Sequence, residues 1–164
     1  MPTLGINAEK TAARGHTSPF RHETEKSSPG YYAVRLDDTS IDVELTATAR
    51  VAFHRYRFPA SKEATVLFDT SHILANSVTV SGGKASYDEA TKRVSGYAHV
   101  QGSYSERKGG VKLYYVAQLS RTPTGFGTWN AGVLAAGEKS VEDKTVGAYF
   151  TFDTTADASV EVHV

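Results

Sequence analysis

The chain has no cysteine among its 164 residues, so neither a disulfide framework nor a thiolate-bound zinc site can form. It also lacks an excess of charge of either sign. Its 18 Lys and Arg balance 18 Asp and Glu, which removes the field that would draw it to nucleic acid or an anionic membrane, and neither is an expected partner. No apolar run approaches the roughly 20 residues a membrane helix needs. The opening Met1-Pro-Thr-Leu-Gly5 has no basic and apolar run of the signal-peptide kind, so the signal of an exported parent would lie outside this chain. Several motifs are missing too: His-Glu-x-x-His, Asp-x-Asp-x-Asp-Gly, a phosphate-cradling Gly-rich loop and a Gly-x-Ser-x-Gly elbow. These absences exclude nucleotide and acyl-transfer chemistry. The six histidines, at positions 16, 22, 54, 72, 99 and 163, are scattered without metal-ligand spacing, and no metal site is expected.

What is present is globular composition, 40% hydrophobic and 22% charged, on a chain the length of one domain. Residues 1–30 are rich in Gly, Ser, Thr, Pro and charge with no sustained period, and read as an irregular lead-in. From Tyr31 the pattern changes. Tyr32, Val34 and Leu36 alternate with polar neighbours, Asp37-Asp38-Thr39-Ser40 supplies a turn, and Ile41, Val43 and Leu45 alternate again, a hairpin with one wet face. Period-two runs recur at 51–58, 65–69, 77–81, 85–88, 94–101, 111–119, 147–153 and 159–164, separated by turn chemistry such as Gly82-Gly83 and Thr122-Pro-Thr-Gly125. About ten short strands with little or no helix predict an all-β fold, an antiparallel β-sandwich spanning 31–164. Within it, the run 111–119 is apolar on one face and half apolar on the other, and is expected to be central and covered on both sides.

The last residues, Val160-Glu-Val-His-Val164, alternate with no turn after them, and the first show no structured beginning. The chain therefore reads as a piece of a longer polypeptide; the other reading is a small protein that ends on a strand.

Chemistry is densest in Ser18-Pro-Phe-Arg-His-Glu-Thr-Glu25, where His22, Glu23 and Glu25 place three titratable groups within four residues, just ahead of Pro29-Gly30 and the strand at Tyr31. Such a cluster suits acid–base or substrate-orienting work, and equally a solvated loop. Asp37 and Asp38 read as turn residues capping backbone amides, Asp42 and Glu44 as solvated. His54 and His99 read as hydrogen-bonded sheet residues. Trp129, within Gly125-Phe-Gly-Thr-Trp-Asn130, has two readings: an aromatic platform for a sugar on a Gly-flanked loop, or a ring packed in the core.

The Ser18-Pro-Phe-x-His-x-x-Glu25 core followed by Pro29-Gly-Tyr-Tyr32 resembles the N-terminal β-domain of the bacterial calcium-dependent exo-α-mannosidases of glycoside hydrolase family 92. Glu44-Leu-Thr-Ala-Thr-Ala-Arg-Val-Ala-Phe-His-Arg-Tyr-Arg-Phe-Pro59, Phe126-Gly-Thr-Trp129 and Gly147-Ala-Tyr-Phe-Thr-Phe-Asp153 extend the resemblance in order along the chain. Arg21 stands where a small polar residue is expected. The resemblance implies part of a β-supersandwich that packs on an (α/α)6 barrel in the same polypeptide. The general acid, the general base and the calcium of the parent enzyme would lie outside this fragment. It further implies that His22, Glu23, Glu25, Tyr31 and Trp129 support a cleft for α-mannosides or other glycans at the domain interface, that none of them is catalytic, and that the parent is secreted or periplasmic. The alternative from another class is a stand-alone carbohydrate-binding or adhesion module. Open sheet edges would make strand-paired dimerisation a hazard.

Overall fold

The computed structural model describes residues 1–12, 15–73, 77–102, 105 and 108–164. Fourteen strands run along the chain: β1 (Pro2–Leu4), β2 (Lys26–Ser28), β3 (Tyr31–Arg35), β4 (Asp42–Ala47), β5 (Ala52–Arg57), β6 (Ala64–Asp69), β7 (Val78–Asp88), β8 (Arg93–Gly102), β9 (Val111–Leu119), β10 (Gly125–Asn130), β11 (Val133–Ala136), β12 (Ser140–Asp143), β13 (Val146–Phe152) and β14 (Ser159–His163). Two 3-10 turns, Glu9–Thr11 and His22–Thr24, complete the described elements. No described helix is long and apolar enough to cross a membrane.

The strands form two antiparallel sheets, one of five in the order β1-β6-β13-β10-β11 and one of nine in the order β12-β7-β8-β9-β14-β5-β4-β3-β2. The all-β sandwich expected from the period-two runs is the observed architecture. Side chains alternate across each strand, so every second residue points between the sheets. Val34, Val43, Tyr56, Val160 and Val162 from the large sheet meet Val66, Ala148, Phe150 and Phe152 from the small one in the main core. A second, smaller core of Leu67, Trp129 and Tyr149 lies on the other face of the small sheet, with Ile6 and Leu134 against it.

Four expectations change. The first thirty residues, expected as an irregular lead-in, supply β1, which pairs with β6, and β2, which pairs with β3. Gly82-Gly83 is not a turn, because β7 runs through it with a register shift between Val80 and Gly82, so one strand stands where two were expected. Strands β10, β11 and β12 were not anticipated. Glycine weakens a strand signal, yet here it serves close packing: a Cβ on Gly127 would lie 2.5 Å from the Ala135 carbonyl oxygen and from the Tyr149 hydroxyl. Finally, β9 is central in strand order but is not covered on both sides. Ala117 and Leu119 are fully buried, whereas Val111, Leu113, Tyr114 and Val116 are exposed. Tyr114 and Val116 lie on the outer face of the large sheet, and on the inner face only the last part of the strand, Ala117 and Leu119, is fully covered.

The hairpin β2–β3 turns at Pro29-Gly30, with Gly30 at φ +79° and open space where a Cβ would be. Only the backbone conformation asks for glycine there, and proline before it suits the first central position of a type II turn.

Candidate functional site

The registers of β3, β4, β5 and β14 bring Glu44, Arg55 and Glu161 into one row on the solvent face of the large sheet, with Tyr31 beside them. Tyr31 donates its hydroxyl proton to Glu44 Oε1 at 2.8 Å. Arg55 lies 3.5 Å from Glu44 Oε2 through Nη1 and donates from Nε to Glu161 Oε1 at 2.8 Å. Farther along, His163 Nε2 is 3.8 Å from Glu161, and the His163 and Phe53 rings pack with centroids 4.5 Å apart. The row lines a groove of about 190 Å³. Glu161 first, and then Glu44, strengthens the hold of Arg55 on its proton, and the bond to Glu44 raises the Tyr31 phenol. Two carboxylates bound to one guanidinium are orienting groups and hydroxyl acceptors.

The lead-in cluster forms a separate brace. His22 Nδ1 and Tyr32 Oη meet the two oxygens of Glu25 at 2.8 and 2.7 Å, and these bonds, that to His22 foremost, hold the Glu25 carboxyl below its ordinary range. Tyr32 is raised by the same contact. Glu23 is exposed. Among the described residues, Asp37 and Asp38 bind side chains and not backbone amides. Asp37 accepts from Arg21 Nε at 3.1 Å and Asp38 accepts from the Ser18 hydroxyl, so the β3–β4 turn fastens the lead-in instead.

Of the expected site residues, the structure joins His22 to Glu25 and places Tyr31 in the groove. Trp129 is taken away from solvent altogether. It lies on strand β10, not on a loop, and is 1% exposed, so its ring cannot be a sugar platform. His54 and His99 are hydrogen-bonded sheet residues as expected: His54 Nδ1 is 2.9 Å from the Tyr56 hydroxyl, and His99 Nε2 is 2.8 Å from the Gly109 carbonyl oxygen. Arg55 and Glu161 were missed. The alternation 53, 55, 57 and 159, 161, 163 marks them as solvent-facing, but they are 106 positions apart and only strand register makes them neighbours.

A family model for the glycosyl hydrolase family 92 N-terminal domain matches residues 1–164. The chain belongs to that family. Among solved structures, the family GH92 inverting mannosidase BT2199 from Bacteroides thetaiotaomicron is 21% identical with a TM-score of 0.81, over 99% of this chain and 20% of its own. The family GH92 α-mannosidase BT3965 from the same organism is 24% identical with a TM-score of 0.85, over 99% of this chain and 22% of its own. The family 92 domain therefore has the fold of the matching part of these enzymes and spans about a fifth of their length. A search of curated proteins gives no match.

In the family 92 domain, the carboxyl groups with perturbed ionisation, Glu25, Asp88, Glu142, Asp143 and Asp153, are all held down, each first by a hydrogen bond from a neighbouring side chain. The calcium that the resemblance implies would need six to eight oxygen ligands. One group of metal-capable side chains is found among the described residues, His16, Asp69 and His72, and it offers two imidazoles and one carboxylate. That donor set does not fit calcium.

Proposed function

We propose that this family 92 domain is the non-catalytic β-sandwich portion of a secreted or periplasmic bacterial exo-α-mannosidase acting on terminal α-mannosyl linkages of glycans. The reading is carried by the alignment of 99% of the chain with only 20% and 22% of an inverting mannosidase and an α-mannosidase. Inversion requires a carboxylic acid and a carboxylate about 6.5–9.5 Å apart with a water between. The downward-held carboxyls of this domain lack the raised pKa of a general acid, which supports assigning that group to the rest of the polypeptide, an (α/α)6 barrel by resemblance, and the same resemblance assigns the base and the calcium there.

In this arrangement the lead-in faces the barrel. The bonds from His22 and Tyr32 to Glu25 keep the loop in one shape, exposed Glu23 is available to the partner domain, and Tyr31 edges the groove. Trp129 contributes through packing alone.

The test is kinetic, in the complete enzyme. His22→Ala and Glu25→Ala are expected to lower kcat/KM toward an α-mannoside while the fold is kept, and unchanged kinetics would remove the supporting role. The purified 164-residue chain is expected not to turn over an aryl α-mannoside, and turnover would end the non-catalytic reading. Saturable binding of mannose or mannobiose by the lone domain in calorimetry would favour a stand-alone module.

A further inference from the structure

Three side chains that the sequence scatters meet on the outer face of the small sheet. Asp69 ends β6, His72 follows three positions later, and His16 arrives from the lead-in as it crosses from the small sheet toward the large one. One donor atom from each lies within 4.8 Å of the others. His72 Nδ1 is 3.9 Å from Asp69 Oδ2, and the two imidazole rings meet edge to face with centroids 5.5 Å apart. They border a cavity of about 470 Å³ floored by Leu67.

We propose that His16, Asp69 and His72 bind a divalent first-row transition ion of the zinc type, which fastens the lead-in to the end of β6. Two imidazoles and a carboxylate form a three-ligand set that suits zinc, with water completing a tetrahedron. Ligand bonds of about 2.0–2.2 Å put tetrahedral neighbours roughly 3.3–3.5 Å apart, so side-chain rotations of about an ångström close the site.

The supporting contacts are already those of a ligand set. Asp69 Oδ1 accepts from the Ser71 amide at 3.0 Å and the Ser71 hydroxyl at 2.8 Å, which fixes the carboxylate and leaves Oδ2 directed at His72. His16 Nδ1 is 3.3 Å from the Lys10 carbonyl oxygen. An imidazole that donates from Nδ1 to a backbone carbonyl presents the Nε2 lone pair to a metal, the usual outer-shell arrangement of ligating histidine. The Asp69 side chain is 13% exposed and His72 37%, so the ion is screened from bulk water while an entry path stays open.

A metal here would join the lead-in to the end of β6. β1 holds the start of the lead-in to β6, and the contacts of residues 18–25 belong to the large sheet. Between them the Lys10 ammonium bonds the Leu4 and Gly5 carbonyls, contacts local to the start of the lead-in. Any ligand that binds only the folded state stabilises it by mass action.

The experiment is titration of ZnCl2 into the whole chain by calorimetry, with cobalt(II) absorption as the reading of geometry. One saturable zinc site is expected, weakened at least tenfold by His16→Gln and by His72→Gln, with tetrahedral cobalt bands lost in the same variants and a zinc-dependent rise in Tm in the parent alone. CaCl2 is expected to give no saturable binding at this site. Absence of saturable zinc binding, parent-like affinity in both variants, or calcium binding as strong as zinc would each overturn the proposal. Far-UV circular dichroism checks the fold of each variant, and His16→Gln, which alters a loop, decides the matter if His72→Gln does not fold.

Discussion

The indole of Trp129 lies flat over Gly147 on the neighbouring strand: a Cβ built on that glycine would stand 2.1 Å from Cζ2 and 2.5 Å from the Phe68 carbonyl oxygen. The small sheet thus carries a large ring on its outer face because the residue opposite has no side chain. Gly147→Ala is expected to cost about 1–3 kcal/mol or more, since backbone on one side and a buried ring on the other leave nothing free to give. Trp129→Ala should cost about 3–5 kcal/mol from the cavity it opens. Trp129→Phe should cost clearly less than Trp129→Ala, because the buried indole N–H has no hydrogen-bond partner among the described residues to lose. Urea denaturation of the three variants measures all of this, and equal costs for Phe and Ala would contradict the packing account.

Thr154 is a second buried fastening, 2% exposed, at the loop between β13 and β14. Its hydroxyl lies 2.9 Å from the Pro59 carbonyl oxygen, to which it donates, and accepts from the Ser61 amide at 3.2 Å. Thr154→Val keeps the shape and leaves both backbone groups without that partner, so a loss of about 1–3 kcal/mol is expected. Thr154→Ser retains the hydroxyl and should recover most of it. Thermal denaturation of the pair distinguishes a hydrogen-bonding role from simple packing.

Burial lowers the pKa of His54 from its ordinary 6.5, because the imidazolium is disfavoured between the sheets. Between the lowered value and 6.5 the unfolded chain binds more protons than the folded one, so unfolding free energy rises with pH through that window. The contribution is fully present above pH 6.5 and is lost as pH falls through the folded value. His54→Gln should flatten the stability profile in this range. Glu25, also lowered, acts below its ordinary 4.5, so Glu25→Gln should flatten a separate and more acidic window. Denaturation at a series of pH values separates the two, and a His54→Gln profile as steep as the parent's would show that this imidazole is not the titrating group.

The alternation of Tyr32, Val34 and Leu36, or of Ile41, Val43 and Leu45, is a local property, and it made the sandwich legible without any knowledge of pairing. The hairpin at Pro29-Gly30 was not legible, because its first strand is three polar residues, Lys26-Ser27-Ser28, with no alternation to mark it. Trp129 was ambiguous because its flanking glycines signal a loop when read locally and close strand packing when read across the sheet. The row of Tyr31, Glu44, Arg55 and Glu161 and the meeting of His16 with Asp69 and His72 depend on register and on the path of the lead-in, which no local pattern encodes. Position 69 was read as a strand end and position 72 as one of several scattered histidines. Their proximity to position 16 is a tertiary fact.

Strand β9 offers a test that compares residues of one strand with the same orientation. Leu113 and Leu119 point to the same side of the large sheet, yet Leu113 is 58% exposed and Leu119 fully buried, because only the second lies over the smaller sheet. In the isolated chain, Leu119→Ala should cost about 2–5 kcal/mol, whereas Leu113→Ser should stay within about 0.5 kcal/mol. Val111 and Leu113, both exposed on that side of the strand, are apolar surface of the kind that docks against other protein. If the remainder of the polypeptide covers them, Leu113→Ser should lower the Tm of the complete enzyme while leaving that of the isolated chain unchanged. An equal and small effect in both would mean that Val111 and Leu113 stay in water and that the rest of the enzyme packs elsewhere on this domain.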